Sequence, residues 1–563
     1  LSSERFSPVS SAQNYTCPQT AAVVQGRSGA GKECRGVKDK QAKSKYYKRR
    51  KKPKKLLNII FSQKTTIILL LLLQFLLIFT TFTNLSEHYT YIHILFTTIA
   101  VGLAVYILNT NQNPAYKMAW IIPLLALPVF TTVLYILLAN QPYKRKVRNL
   151  YAKKCANTRA FLTTDKKLME TVKEKDPELG RLAEYIDTFG GYPMYRGEGA
   201  VYFPLGEDKF KALVAELKKA EEFIFMEYFI VDDGEMWGEI LDILLEKVKS
   251  GVEVRFLCDG MGSQFTVPAR DLKTLKKAGA KVLIFNKFRP MISTIQNNRD
   301  HRKIVVIDGK TAFNGGVNIG DEYINRRPRF GHWKDNAVMI TGDAVWNFTM
   351  MFLQMWEVIS GDVAAYEMFK PKADGSYSKK HGYVIPYADS PLDEESVGKL
   401  VYMSMINSAK KYVYITTPYF IPDNEMLTAL ELAAKSGVDV RIITPGIPDK
   451  WYIHCMTKSY YRELLAIGVK VYEYTPGFIH AKTFLSDDSK AVVGTINLDY
   501  RSLYLHFECA TYMQDSECIG DIRADFDNMF ENKCHLITPQ DCRDISFFSR
   551  FASVILRMLA PLL

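Results

Sequence analysis

His301-Arg302-Lys303-Ile304-Val305-Val306-Ile307-Asp308 opens a block that closes on Gly315-Gly316-Val317-Asn318, and the block returns as His480-Ala481-Lys482-Thr483-Phe484-Leu485-Ser486-Asp487 closing on Gly494-Thr495-Ile496-Asn497. The copies start 179 residues apart and keep one internal spacing: His and Lys two apart, Asp five beyond the Lys, Gly seven beyond the Asp. On a strand, residues two apart project from the same face, so each copy can aim an imidazole and an ammonium into a cleft. Two copies then make one pseudo-symmetric site with two imidazoles and two cations.

The repetition extends outward. Lys249-Ser250-Gly251-Val252-Glu253-Val254-Arg255 recurs as Lys435-Ser436-Gly437-Val438-Asp439-Val440-Arg441. In each copy a helical pattern leads to an apolar strand (Glu222 to Val231; Tyr412 to Ile421), a helix and the Gly-Val-acid-Val-Arg strand. A second helix and strand follow (Leu275 to Phe285; Leu464 to Tyr474). Strands alternating with helices indicate βαβ units. The expected fold class is α/β: two fused repeats, 150–365 and 375–545, with mixed, largely parallel sheets flanked by helices, behind an N-terminal transmembrane helical region.

The chain has 563 residues, 48% of them hydrophobic and 24% charged, enough for several domains and a large core, which excludes a disordered or disulfide-scaffold protein. Its nine cysteines are scattered without a Cys-x-x-Cys pair, which argues for reduced thiols and against a zinc module. Residues 1–64 hold 16 Lys and Arg against 3 Asp and Glu, the whole of the +13 net charge, while the remainder balances 57 against 57. A neutral body argues against nucleic acid as partner; a basic leader beside apolar runs points to an anionic membrane surface. Residues 1–55 are polar and start on Leu1, and the leader 1–64 is read as disordered. Within it, Gly26 to Lys32 matches a phosphate-loop pattern, but Glu33 stands where a Ser or Thr must ligate magnesium, so the match is chance.

Three runs free of Asp, Glu, Lys and Arg follow: Thr65 to Thr83, Tyr89 to Leu108 and Met118 to Ala139. Each approaches the ~20 residues that cross a bilayer core, so 65–140 is expected to be a transmembrane region of two or three helices. At the other end, 546–563 is mostly apolar with Arg550 and Arg557 on one helical face, the pattern of an interfacial helix or of a core-capping one.

The paired blocks suit phosphodiester chemistry. Lys303, Lys482 and the turns carrying Asn318 and Asn497 offer positive charge and donors for phosphoryl oxygens. One histidine can attack phosphorus while the other protonates the leaving oxygen; His301 is assigned nucleophile and His480 acid. No metal or other cofactor is required, and the lysines would repel a divalent cation. Asp335 and Glu508, 34 and 28 residues after their histidines, could each fix an imidazole tautomer. Asp308 and Asp487 head turns, where Asp bonds locally, and are read as organising the site.

The two H-x-K-x4-D motifs resemble the phospholipase D superfamily, and their surroundings resemble the bacterial cardiolipin synthases: HRKIVVIDG, NGGVNIGDEY, TPYFIPD (Thr417 to Asp423), HAKTF, VGTINLDYRS and the closing LAPLL. The resemblance runs from Asn109 to Leu563. It implies a membrane hairpin, then two repeats forming one active site. It also implies phosphatidyl transfer between two phosphatidylglycerols with release of glycerol, and catalytic roles for His301, Lys303, Asp308, His480, Lys482 and Asp487. The basic leader and the additional first run depart from the family pattern. The expected location is the cell membrane, multi-pass, with a cytoplasmic catalytic region and anionic lipids as partners. The alternatives are a phospholipase D hydrolase, another phosphatidyltransferase, a membrane-tethered nuclease, and a non-catalytic lipid-binding scaffold.

Overall fold

The structure is a computed structural model, and it describes residues 89–139, 142–196, 199–287, 297–362, 365–370, 381–393, 395–543 and 547–562. The leader, the Gly26 to Lys32 motif and the run Thr65 to Thr83 lie outside these residues.

The second apolar run is one helix, Tyr89–Leu108, and its first turn carries Tyr89, Thr90, Tyr91 and His93. The third run is two helices, Pro114–Ala126 and Pro128–Ala139, separated at Leu127. Proline cannot donate to the preceding turn and pushes the residue before it out of helical geometry, so Leu127 sits at φ −134° and ψ 63°. The polar start shortens one apolar stretch and Pro128 divides the other. Among the described residues no helix is long and apolar enough to cross a membrane.

Each repeat builds one sheet. The first has seven strands, in the order Gly199–Phe203, Ala337–Thr341, Thr311–Gly315, Lys303–Ile307, Phe223–Tyr228, Glu253–Asp259, Lys281–Phe285. The second centres on Lys490–Gly494, Thr483–Ser486, Tyr412–Thr416, Asp439–Pro445 and Lys470–Tyr474, and His506–Gln514 flanks the first of these. The expected parallel βαβ units are present as Phe223–Tyr228 to Lys281–Phe285 and Tyr412–Thr416 to Lys470–Tyr474. The largely parallel character is not: the strands opened by the His-x-Lys motifs and the strands that follow them along each sheet pair antiparallel, apart from the short parallel ladder between Arg299–Asp300 and His506–Phe507. The cause is local. Asp308-Gly309 and Asp487-Asp488 take positive φ (52°, 63°, 54° and 57°) and fold each His-x-Lys strand back as a hairpin, where a parallel return would need a long crossover.

The sheets share a core. Helix Val345–Ser360 is buried at every position from Val345 to Glu357 and packs in the same apolar cluster as strands of both sheets. Two short ladders tie the repeats together beside the motifs. Arg299–Asp300 pairs with His506–Phe507, and Gly477–Ile479 pairs with His332–Lys334.

Candidate active site

Those two ladders deliver the histidines. The His301 amide donates to Phe507 O at 2.9 Å and the His480 amide to Lys334 O at 2.6 Å, so each histidine enters along a strand of the opposite repeat. That strand carries Glu508 in the one case and ends just before Asp335 in the other. His301 Nδ1 lies 2.9 Å from both Glu508 oxygens, and His480 Nδ1 lies 2.7 Å from Asp335 Oδ2. Each acid therefore serves the other repeat's histidine, not the one that precedes it in sequence. With Nδ1 bound to carboxylate, the tautomer that leaves Nε2 for substrate is fixed on both rings.

Lys303 Nζ donates to His301 O at 2.5 Å, and Lys482 Nζ makes the same bond to His480 O. Both ammonium groups are buried beside the imidazoles. Burial pushes Lys303 down to about 8 and Lys482 to about 7, with Asp335 and Glu508 partly offsetting this. Burial and then Lys303 and Lys482 hold His301 well below its usual 6.5, and burial and Lys482 bring His480 to about 4 against the pull of Asp335. Burial opposes ionisation of Asp335, but His480 and Lys482 outweigh it and its carboxyl lies below the usual range. The rings stand among aromatics: Phe229 is 5.1 Å from His301, and Tyr323 and Trp333 are each 5.6 Å from His480. The site is thus a buried cluster of two imidazoles and two lysines, a set of groups suited to an anionic phosphodiester.

Asp308 and Asp487 are elsewhere. Asp308 accepts from the amides of Glu221, Glu222 and Phe223 at 2.8 to 2.9 Å, and Asp487 from Lys410, Lys411 and Tyr412 at 2.7 to 3.0 Å. Five residues of strand, ~16 Å, separate each from its lysine. They lock the start of the neighbouring strand onto the hairpin. Asn318 is also engaged, accepting from the Ile230 amide at 3.0 Å and donating to Tyr323 Oη at 2.9 Å. Asn497 keeps its side-chain oxygen buried without a hydrogen-bond partner among the described residues.

Two site residues escaped the sequence reading. His506 Nδ1 lies 3.7 Å from Glu508, with its ring 5.5 Å from that of His301, and the Thr495 hydroxyl donates to Glu508. The missed signal was spacing: His506 precedes Glu508 by two, as Trp333 precedes Asp335, so each shares its acid's face. Among the described residues, His301, His506 and Glu508 form the one cluster whose composition could chelate a metal, and Lys303 and Lys482 beside it oppose a divalent cation.

Two repeats supplying one pair of carboxylate-held histidines and two lysines define a phosphodiester-handling enzyme of the phospholipase D type. The family model described as "Cardiolipin synthase, PLD-like domain" matches residues 213–356 and 402–530, and one described as "Phospholipase D-nuclease N-terminal" matches 98–140. The chain is 37% identical to cardiolipin synthase 2 of Bacillus cereus over 83% of its own length and 91% of that protein. It is 34% identical to a cardiolipin synthase of Halalkalibacterium halodurans over 84% and 93%, and 45% identical to an uncharacterized protein of Streptococcus mutans over 82% and 100%. The chain belongs to the cardiolipin synthase family. The fold is similar to that of phosphatidylserine synthase from Haemophilus influenzae (TM-score 0.50, 12% identity, 68% of this chain and 98% of that one).

Proposed function

We propose that the protein transfers a phosphatidyl group from one phosphatidylglycerol to the glycerol hydroxyl of another, producing cardiolipin and free glycerol. The observation that carries the reading is the crossed pair His301–Glu508 and His480–Asp335 with Lys303 and Lys482 between them. His301 Nε2 forms the bond to phosphorus as the bond from phosphorus to the glycerol oxygen breaks, and His480 gives that oxygen its proton. In the second half the acceptor hydroxyl loses its proton to His480 while its oxygen displaces His301. Lys303 and Lys482 face the phosphoryl oxygens. Positioned proton transfer of this kind contributes about 10²- to 10⁴-fold.

The membrane seat belongs to the same reading. Helix Phe547–Leu559 turns Phe551, Val554, Ile555 and Met558 outward, while Arg557 faces the catalytic region, 4.0 Å over the Tyr460 ring and 3.2 Å from Glu463. The turn Ala560–Leu562 meets Pro114–Ala126, so the outward apolar side chains of the C-terminal helix lie near those of the N-terminal helices, facing a bilayer surface.

The test is to incubate the purified protein with phosphatidylglycerol alone and identify the products. Cardiolipin with one glycerol per turnover is the expected result. Phosphatidic acid with glycerol would make the protein a hydrolase.

A further inference from the structure

The residues around the two acids are not equivalent, and the repeats allow a position-by-position comparison. Asp335 matches Glu508, Trp333 matches His506, and Gly316 matches Thr495. On the His480 side, Asp335 Oδ2 receives the imidazole at 2.7 Å and Oδ1 takes only the Asn336 amide, at 2.9 Å. Gly316 passes so close that a Cβ there would stand 2.0 Å from Asp335 Oδ1, which bars a threonine. Trp333 offers a ring wall 5.6 Å from His480.

On the His301 side, polar groups fill those places. The Thr495 hydroxyl donates to Glu508, and His506 Nδ1 stands 3.7 Å from the same carboxylate. Arg501 Nε lies 3.5 Å from His506 Nε2, so the imidazole is flanked by cation and acid. Glu508 thus accepts from His301 and Thr495 and also faces the polar edge of His506 at 3.7 Å, beyond hydrogen-bond length, where Asp335 accepts from His480 and the Asn336 amide and, among the described residues, faces no second imidazole.

A carboxylate favours imidazolium by the charge it can direct to it. A nucleophilic imidazole has to be neutral, whereas a general acid has to hold its proton. We propose that His506 is a positioning residue which, by presenting a second polar edge to Glu508, keeps His301 neutral and reserves it for attack, while Asp335, with no imidazole beyond His480, favours the proton on His480. This rests on the reading that the two histidines serve as nucleophile and acid. The groups facing His301 are Glu508, Lys303, Lys482, His480, Lys450 and His506. The cations among them already disfavour imidazolium, so Glu508 is the group whose attraction His506 can dilute. Burial brings His506 itself to about 4, so it is neutral on the plateau of the profile.

The test compares His506→Phe and His506→Gln in the full chain, measuring formation of phosphatidyl-enzyme by rapid quench against pH. Phenylalanine keeps a ring where the first repeat has Trp333 but removes the polar edge. Glu508 then turns fully to His301, whose pKa rises, and the acid limb of the profile moves up by about one unit. Formation at a pH on the shifted limb falls about tenfold relative to wild type, with little change on the plateau. Glutamine, which retains a donor near Glu508, restores the wild-type limb. An unmoved limb in the Phe variant, a loss uniform over pH, or a Gln variant that behaves like Phe would overturn the proposal. Wild-type enzyme that forms phosphatidyl-enzyme but yields no cardiolipin would overturn the proposed function and leave the role of His506 standing.

Discussion

Glu508 in the second repeat holds Nδ1 of His301 in the first, with both carboxylate oxygens at 2.9 Å, and Asp335 returns the arrangement for His480. Neither repeat owns a complete catalytic unit. The crossing explains why the two copies must be fused or tightly paired: separation would strip each imidazole of the group that sets its tautomer.

The first consequence is that Asp335→Asn and Glu508→Gln should behave as catalytic lesions. An amide in either place can stabilise the wrong tautomer and cannot stabilise imidazolium, a defect worth up to about 10⁴-fold in turnover. Thermal unfolding should shift little for Glu508→Gln, because the Thr495 hydroxyl can still donate to the side-chain oxygen. A variant retaining half its turnover would refute the role given to the acids.

His301→Ala and His480→Ala should each abolish transfer, because nucleophile and acid act in sequence. Acid quenching of wild type during turnover should trap phosphatidyl on His301, and none should be trapped on His301→Ala. Mapping the adduct to His480 would reverse the two roles.

Asp308 and Asp487 should fail differently. Each accepts three backbone N–H groups, those at Asp308 being buried or part-buried, and a buried donor left unmatched costs about 1–3 kcal/mol. Asp308→Ala should therefore lower the unfolding temperature sharply. Asp308→Asn, which tolerates the positive φ of 52° and keeps acceptor capacity, should retain much of the activity per folded molecule. Normal stability with lost chemistry in the Asn variant would return Asp308 to the catalytic set.

These contrasts mark what the sequence could disclose. His301 with Lys303 and His480 with Lys482 were legible because the motif was written twice with one spacing, although the expected strand does not hold either pair: His301 precedes Lys303–Ile307, and His480 and Lys482 precede Thr483–Ser486. The acids were found, but their crossing was not. It is made by Arg299–Asp300 and Gly477–Ile479, ladders of two and three residues, too short to leave a periodic trace. The antiparallel majority hid behind Asp308-Gly309, read as a turn but not as the hairpin that reverses the sheet. Pro128 was visible inside the third apolar run, yet a proline alone does not tell a kinked helix from two helices.

Chelation should leave turnover intact. In the proposed scheme the electrostatic work near phosphorus falls to Lys303 and Lys482, and those cations oppose a divalent ion at the His301, His506 and Glu508 cluster. Complete loss in chelator, restored by one specific divalent ion, would contradict the metal-free scheme.

The sidedness of the catalytic region follows from an argument between two basic segments. Lys and Arg beside apolar runs mark the cytoplasmic side, and both the stretch Lys43 to Lys55 and the residues after the third run (Lys144, Arg145, Lys146, Arg148) are basic. An odd number of crossings would put them on opposite faces. The proposed membrane seat would reconcile them if the chain entered the bilayer face along Tyr89–Leu108 and came back along Pro114–Ala126 and Pro128–Ala139, leaving both basic segments on one side. The prediction that follows is a catalytic region on the cytoplasmic side. Ser250 and Ser436 occupy the same place in the two repeats, each exposed at the end of a helix. Cysteine at either position, in a parent stripped of accessible thiols, should react with an impermeant thiol reagent only after permeabilisation. Reaction at both positions in intact cells would put the catalytic region outside and require an odd number of crossings before it.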